Sequence, residues 1–166
     1  MGSVNRMDSP LARVAAFVTA AWTLGDGPWE KWRTLWHQTQ NLRARLGVST
    51  LQPHTTFTLR TTFGSLAFRD NFGDITNLPK LLHQGVYRWR QLPDEGVILD
   101  VGANIGLAAV WFARFNPTTP IYCFEPLRGN VAMIRRNCPR ATVVEAAIGG
   151  KSVGQVRHGI DAAGEP

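Results

Sequence analysis

Asp100 and Glu125 each close a short apolar run, and a glycine-bearing turn follows the first of them, Asp100-Val101-Gly102-Ala103-Asn104-Ile105-Gly106. Gly102 and Gly106 allow a sharp backbone turn and a close approach to a ligand. A helix beginning near Asn104 offers the unbonded N–H groups of its first turn to the same opening. In a strand–helix–strand unit, an acid at the end of the second strand reaches the ribose of a nucleoside held in the first crevice. A carboxylate accepts from two hydroxyls at once, which suits a cis-diol. Glu125 stands at that position.

The loop also excludes ligands. A dinucleotide loop reads G-x-G-x-x-G, and a Walker A loop ends in Gly-Lys-Ser/Thr. This loop reads G-x-x-x-G, with Ala103 and Asn104 where a middle glycine would be sought, so a pyrophosphate loses its close backbone approach. The pattern therefore points to a nucleoside cofactor without a pyrophosphate. A nicotinamide-dependent oxidoreductase with an atypical loop is the alternative. Glu145 ends a third apolar run, where it could accept from an adenine amino group. Each acid taken alone reads equally as a surface residue at a strand end. Asp100 and Glu125 with the glycines between them favour a site.

These residues must be positioned by alternating elements. Residues 97–101, 121–124 and 142–146 read as strands, with 153–160 a candidate fourth, and 104–115 and 127–137 read as helices. Such alternation implies crossover units and a parallel sheet, with the loops after each strand on one edge. Ahead of them, residues 9–24 and a segment opened by Asp26-Gly27-Pro28 read as helices, the second stopping at Gly47. Trp29, Trp32, Leu35, Trp36, Leu42 and Leu46 fall near helical spacing and read as a core-facing stripe, with a partner surface or a lipid-facing edge as the other readings. Residues 55–60 and 65–69 form a hairpin pattern, and 78–89 a short helical one. Three segments follow: 1–50 helical, 51–96 hairpin and helix, and 97–166 the cofactor-binding α/β region.

The chain of 166 residues is 44% hydrophobic, a globular composition. Its 18 Lys and Arg exceed 12 Asp and Glu, but they are dispersed and read as a solvated basic surface, with no nucleic-acid stripe expected. Cys123 and Cys138 form neither a disulfide framework nor a zinc motif, and Cys123 reads as a buried thiol; no metal is expected. Residues 14–24 are apolar but short of a membrane span; a soluble or peripheral helix is expected, with an export signal or an anchor as the other readings. The two cysteines make a reducing, cytoplasmic location the expectation. The oligomeric state is left open.

At ILDVGANIG (98–106), CFEP (123–126) and EAAIG (145–149) the sequence resembles the FkbM-type methyltransferases, class I enzymes dependent on S-adenosylmethionine. Arg69, Asp74 and Tyr87 fall where the family carries an Arg…Asp…Tyr pattern. The family commonly has Asn-Ala-Ala in the third block, so Glu145 is a departure at the adenine contact. The resemblance implies a Rossmann-like sheet of which this chain holds about the first half. The family's later Asp-x-Glu-Gly-type stretch is not in the sequence, which reads as a fragment or as an inactive truncation. It implies S-adenosyl-L-methionine as cofactor. Asp100, Gly102 and Gly106 would line its methionine end, with Ala103 and Asn104 of the same loop also binding the cofactor. Glu125 would hold its ribose, with Pro126 and Leu127 flanking its adenine; Glu145 is a cofactor-binding candidate by its strand-end position alone. The methyl acceptor would be a hydroxyl of a small molecule or glycan. The catalytic base is unassigned. His83 and His158 are the nearest histidines by position, and each alone reads as a surface or capping residue. A non-catalytic interaction protein using the Trp-rich helices is the remaining reading.

Overall fold

The structure, a computed structural model, describes residues 10–52, 55–79 and 96–149. Its contacts divide the chain into two compact units, Met1–Arg90 and Gln91–Pro166. The first segment boundary read from the sequence, near residue 50, falls inside the first unit. Tyr87, His83, His158, the candidate strand 153–160 and most of the expected helix 78–89 lie outside the described residues.

The first unit holds α1 (Pro10–Leu24), α2 (Pro28–Arg45), β1 (Thr56–Thr61), β2 (Gly64–Arg69) and α3 (Asp74–Leu78). Pro28 opens α2, and Gly47, with φ at +72°, closes it. There the Val48 N–H reaches Arg43 O and the Gly47 N–H reaches Ala44 O, which satisfies two terminal carbonyls. The turn between α1 and α2 is pinned to the end of β1: Asp26 N–H donates to Arg60 O and Thr62 N–H to Leu24 O. Only glycine fits at Gly25, since a Cβ there would lie 2.7 Å from the Lys31 nitrogen. β1 and β2 pair antiparallel, with Leu59 opposite Leu66 and Phe57 opposite Phe68. Their buried residues join Ala20, Ala21, Leu24, Ile75 and Leu78 in the core.

The tryptophan stripe is not core. Trp29, Trp32 and Trp36 are 68%, 59% and 58% exposed, and the buried face of α2 is Glu30, Thr34, Gln38 and Asn41. The physical reason is hydrogen bonding. Glu30 takes the Arg60 backbone N–H and pairs with Arg33 and Arg60, and Asn41 donates to Asn71 O. These bonds turn the polar face inward. The Gln38 amide, fully buried, has no hydrogen-bond partner among the described residues.

The second unit holds β3 (Ile98–Val101), α4 (Leu107–Phe115), β4 (Ile121–Phe124), α5 (Arg128–Asn137) and β5 (Thr142–Val144). The three strands are parallel in the order β3-β4-β5, with Asp100 level with Cys123 and Cys123 with Val143. This is the mixed α/β architecture with a small parallel sheet that the alternation implies. α4 packs on β3, β4 and α5, and α5 also on β5. Ile98, Ile105, Ala109, Trp111, Ile121, Cys123, Val131 and Ile134 are buried, while Leu99 and Val101 on the opposite phase of β3 are exposed. α4 starts at Leu107 rather than near Asn104, because Asn104 and Gly106 take left-handed conformations, φ +50° and +82°. Among the described residues no helix is long and apolar enough to cross a membrane.

In the first unit, Asp74 is 2% exposed and accepts from the Arg69 backbone N–H, Nε and Nη2 and from Asn71 Nδ2, all within 2.9–3.2 Å. Its removal takes the paired carboxylate from a half-buried guanidinium and the acceptor from the Arg69 backbone N–H. Asp74→Ala is expected to lower stability by about 3 kcal/mol, read from urea denaturation followed by circular dichroism; an unchanged midpoint would show that the Arg69–Asp74 pair does not fasten β2 to α3.

Candidate functional site

The site forms where β3 and β4 end side by side. Their parallel pairing brings Val101 level with Phe124, so the loop after β3 and the residue after β4 meet. Gly102 N–H and Ala103 N–H both donate to Phe124 O, at 2.9 and 3.2 Å. The loop thereby continues the sheet by one more set of bonds before it turns away into α4.

Glu125 fixes that turn. It is 4% exposed, and its carboxylate accepts from two backbone N–H groups, Asn104 at 2.9 Å through Oε2 and Leu127 at 3.0 Å through Oε1. Its own N–H donates to Val144 O on β5. One residue thus joins the β3 loop, the start of α5 and the third strand. Asparagine tolerates the left-handed conformation better than most residues, and the Glu125 bond rewards Asn104 for adopting it. Gly106 is tightly placed: a Cβ would lie 3.3 Å from Ile134 of α5, and φ is +82°. Gly102, at φ +75°, has open space where a Cβ would stand.

Asp100 is the other carboxylate at this edge. It is half-buried, and its Oδ2 has no hydrogen-bond partner among the described residues. Burial raises its pKa above the usual carboxylate range, opposed by the Ala109 backbone N–H and reinforced by the charge of Glu125. Beside it, burial and then the Asp100 charge push the Cys123 thiol up to about 12. Cys123 is therefore a protonated, packed thiol and not a nucleophile.

The structure gathers Asp100, Gly102, Ala103, Asn104, Gly106 and Glu125 at one edge. Pro126 and Leu127 follow directly, with Leu127 preceding the first turn of α5. Glu145 is exposed past the end of β5 and accepts from Arg128 Nε at 2.9 Å. An adenine amino group would have to share that carboxylate with Arg128. Arg69 and Asp74 form the ion pair of the first unit.

Sequence reasoning overlooked Asn137. Its Nδ2 donates to Ile105 O at 2.9 Å, in a buried bond that ties α5 to the glycine loop. The signal was present: Asn137 falls in the buried phase of α5 with Asn130, Val131 and Ile134, where a polar residue calls for a partner.

Comparison with protein-family models, with curated proteins and with solved structures gives no match for this chain.

The raised pKa of Asp100 carries a stability consequence. A carboxyl whose folded pKa lies above its unfolded one binds its proton more tightly in the folded state. Its contribution is present below the unfolded pKa and is lost as pH rises through the folded one. Asp100→Asn, which keeps the shape and removes the charge, is expected to raise the melting temperature at pH 7 and to give no gain under acid conditions below the ordinary carboxylate range. A melting-temperature profile against pH checks this; a variant less stable than the parent at pH 7 would refute it.

Proposed function

We propose that this chain is a methyltransferase polypeptide, or the cofactor-binding part of one, whose second unit binds S-adenosyl-L-methionine at the β3–β4 edge. The observation that carries the reading is the pair of carboxylates there: Glu125 anchored by two backbone N–H groups, and Asp100 with a buried oxygen lacking a donor. Each carboxylate oxygen has two acceptor positions. Glu125 therefore keeps capacity for the two hydroxyls of a ribose after the Asn104 and Leu127 bonds are made. Asp100 has capacity for an ammonium or hydroxyl donor. A donor cation at Asp100 favours the ionised form and offsets the burial that now disfavours it.

In this reading Gly102, Ala103, Asn104 and Gly106 line the methionine end, where the open space beside Gly102 leaves the backbone accessible. Pro126, Leu127 and Glu145 flank the adenine. The sulfonium of the cofactor supplies an already activated methyl group. The residues then need chiefly to hold donor and acceptor in line, and orientation contributes much of the rate. The acceptor class that fits the resemblance is a hydroxyl of a small molecule or glycan. The G-x-x-x-G loop supports this reading over a nicotinamide cofactor, since the close approach needed for a pyrophosphate is lacking.

Thermal-shift titration tests the assignment. S-adenosylhomocysteine at about 100 times its Kd is expected to stabilise the protein by about 2.7 kcal/mol, while NAD gives no shift. Glu125→Ala is expected to abolish the shift. A folded Glu125→Ala variant that responds like the parent sinks the ribose assignment, and a shift with NAD alone sinks the cofactor.

A further inference from the structure

We propose that the outer face of α1 and α2 docks on an anionic lipid bilayer surface, lying in the headgroup layer rather than spanning it. The face is apolar and continuous. Val14, Val18 and Trp22 follow one another at successive turns of α1 and are 46%, 41% and 53% exposed. Trp29, Trp32 and Trp36 form the matching stripe on α2. The two stripes meet where Trp22 and Trp32 pack edge to face, with ring centroids 6.2 Å apart. Lys31 Nζ lies 5.5 Å from the Trp22 ring centroid, so a cation borders the seam. Arg43 continues the stripe, seven residues after Trp36, and is exposed.

Charge selects the occupant. Met1–Arg90 holds eleven Lys and Arg against five Asp and Glu, whereas Gln91–Pro166 holds seven of each. The whole surplus of +6 thus lies in the unit that exposes the tryptophans. A helix face with indoles and aliphatic side chains beside cations is the composition that settles into a headgroup layer over anionic lipid. A second copy of the chain is disfavoured, because two such units repel. A nucleic acid would stack bases on the indoles but leave the Val14 and Val18 stripe without a partner. Glu30 and Asn41 on the polar face of α2 are bonded to β1 and to the turn after β2, which holds that face inward and the indoles outward. The inference is independent of the cofactor assigned to the second unit.

The test uses the full chain with vesicles of phosphatidylcholine alone and of phosphatidylcholine mixed equally with phosphatidylglycerol. Sedimentation with the mixed vesicles is expected to be about tenfold tighter than with the neutral ones and to weaken as salt is added. Tryptophan emission is expected to shift to the blue and to be quenched by lipids brominated near the headgroup. Trp29→Ala/Trp32→Ala/Trp36→Ala removes only exposed side chains; it is expected to keep its circular dichroism spectrum and lose about tenfold in vesicle affinity. Failure to sediment with the mixed vesicles overturns the proposal, as does undiminished binding by a folded triple variant. Concentration-dependent dimerisation without vesicle binding assigns the face to a second copy and overturns it too. The quenching experiment uses the unaltered protein, so an absence of quenching decides against the proposal even if the triple variant does not fold.

Discussion

The geometry of the second unit turns on the Glu125 carboxylate and the two backbone N–H groups it holds. Without it, the Asn104 N–H would be left without its partner and the left-handed turn at Asn104 would lose its reward. A buried carboxylate left without donors is costly, so this one specifies the loop as much as the loop specifies it. Asn137 completes the restraint from the other side by holding the Ile105 carbonyl. The glycine loop is thereby held at two consecutive residues, Asn104 and Ile105.

The first unit uses the same device twice. Glu30 takes the Arg60 backbone N–H across from α2 to β1, and Asp74 takes the Arg69 backbone N–H across from α3 to β2. In each case an acid on a helix satisfies a backbone donor on a strand and carries a guanidinium with it. The buried face of α2 needs these bonds because it offers little apolar area. Glu30 and Asn41 thereby gain specificity of orientation in place of hydrophobic burial, while the Gln38 amide between them is buried without a partner among the described residues.

Much of the second unit was legible in the sequence. The apolar runs ending in Asp100 and Phe124 gave strands within a residue or so of their observed bounds, and the helix after Pro126 was placed to a residue. Period and composition suffice there because each element buries a conventional apolar face. Legibility failed in two places, for physical reasons. The start of α4 was misplaced because two left-handed residues precede it, and such conformations depend on a partner, Glu125, that lies 21 positions downstream of Asn104. The orientation of α2 was misread because amphipathicity gives the direction of the apolar stripe but not which side of the helix the hydrogen bonds will claim. Glu30, Gln38 and Asn41 lie on one face as plainly as the tryptophans lie on the other; what Glu30 and Asn41 bond to is tertiary information.

That orientation sets the folding of the first unit against its own collapse. In an unfolded chain the indoles of α2 and the valines of α1 are among the strongest groups driving early condensation, and they draw these helices inward by the wrong side. The native arrangement arises only once β1 and the turn after β2 present the backbone groups that Glu30 and Asn41 require. Local pattern and final structure disagree, which is the definition of frustration in a folding landscape. The native side of α2 is thus selected by the β1–β2 hairpin and the turn after it, which carry the backbone groups that Glu30 and Asn41 bond.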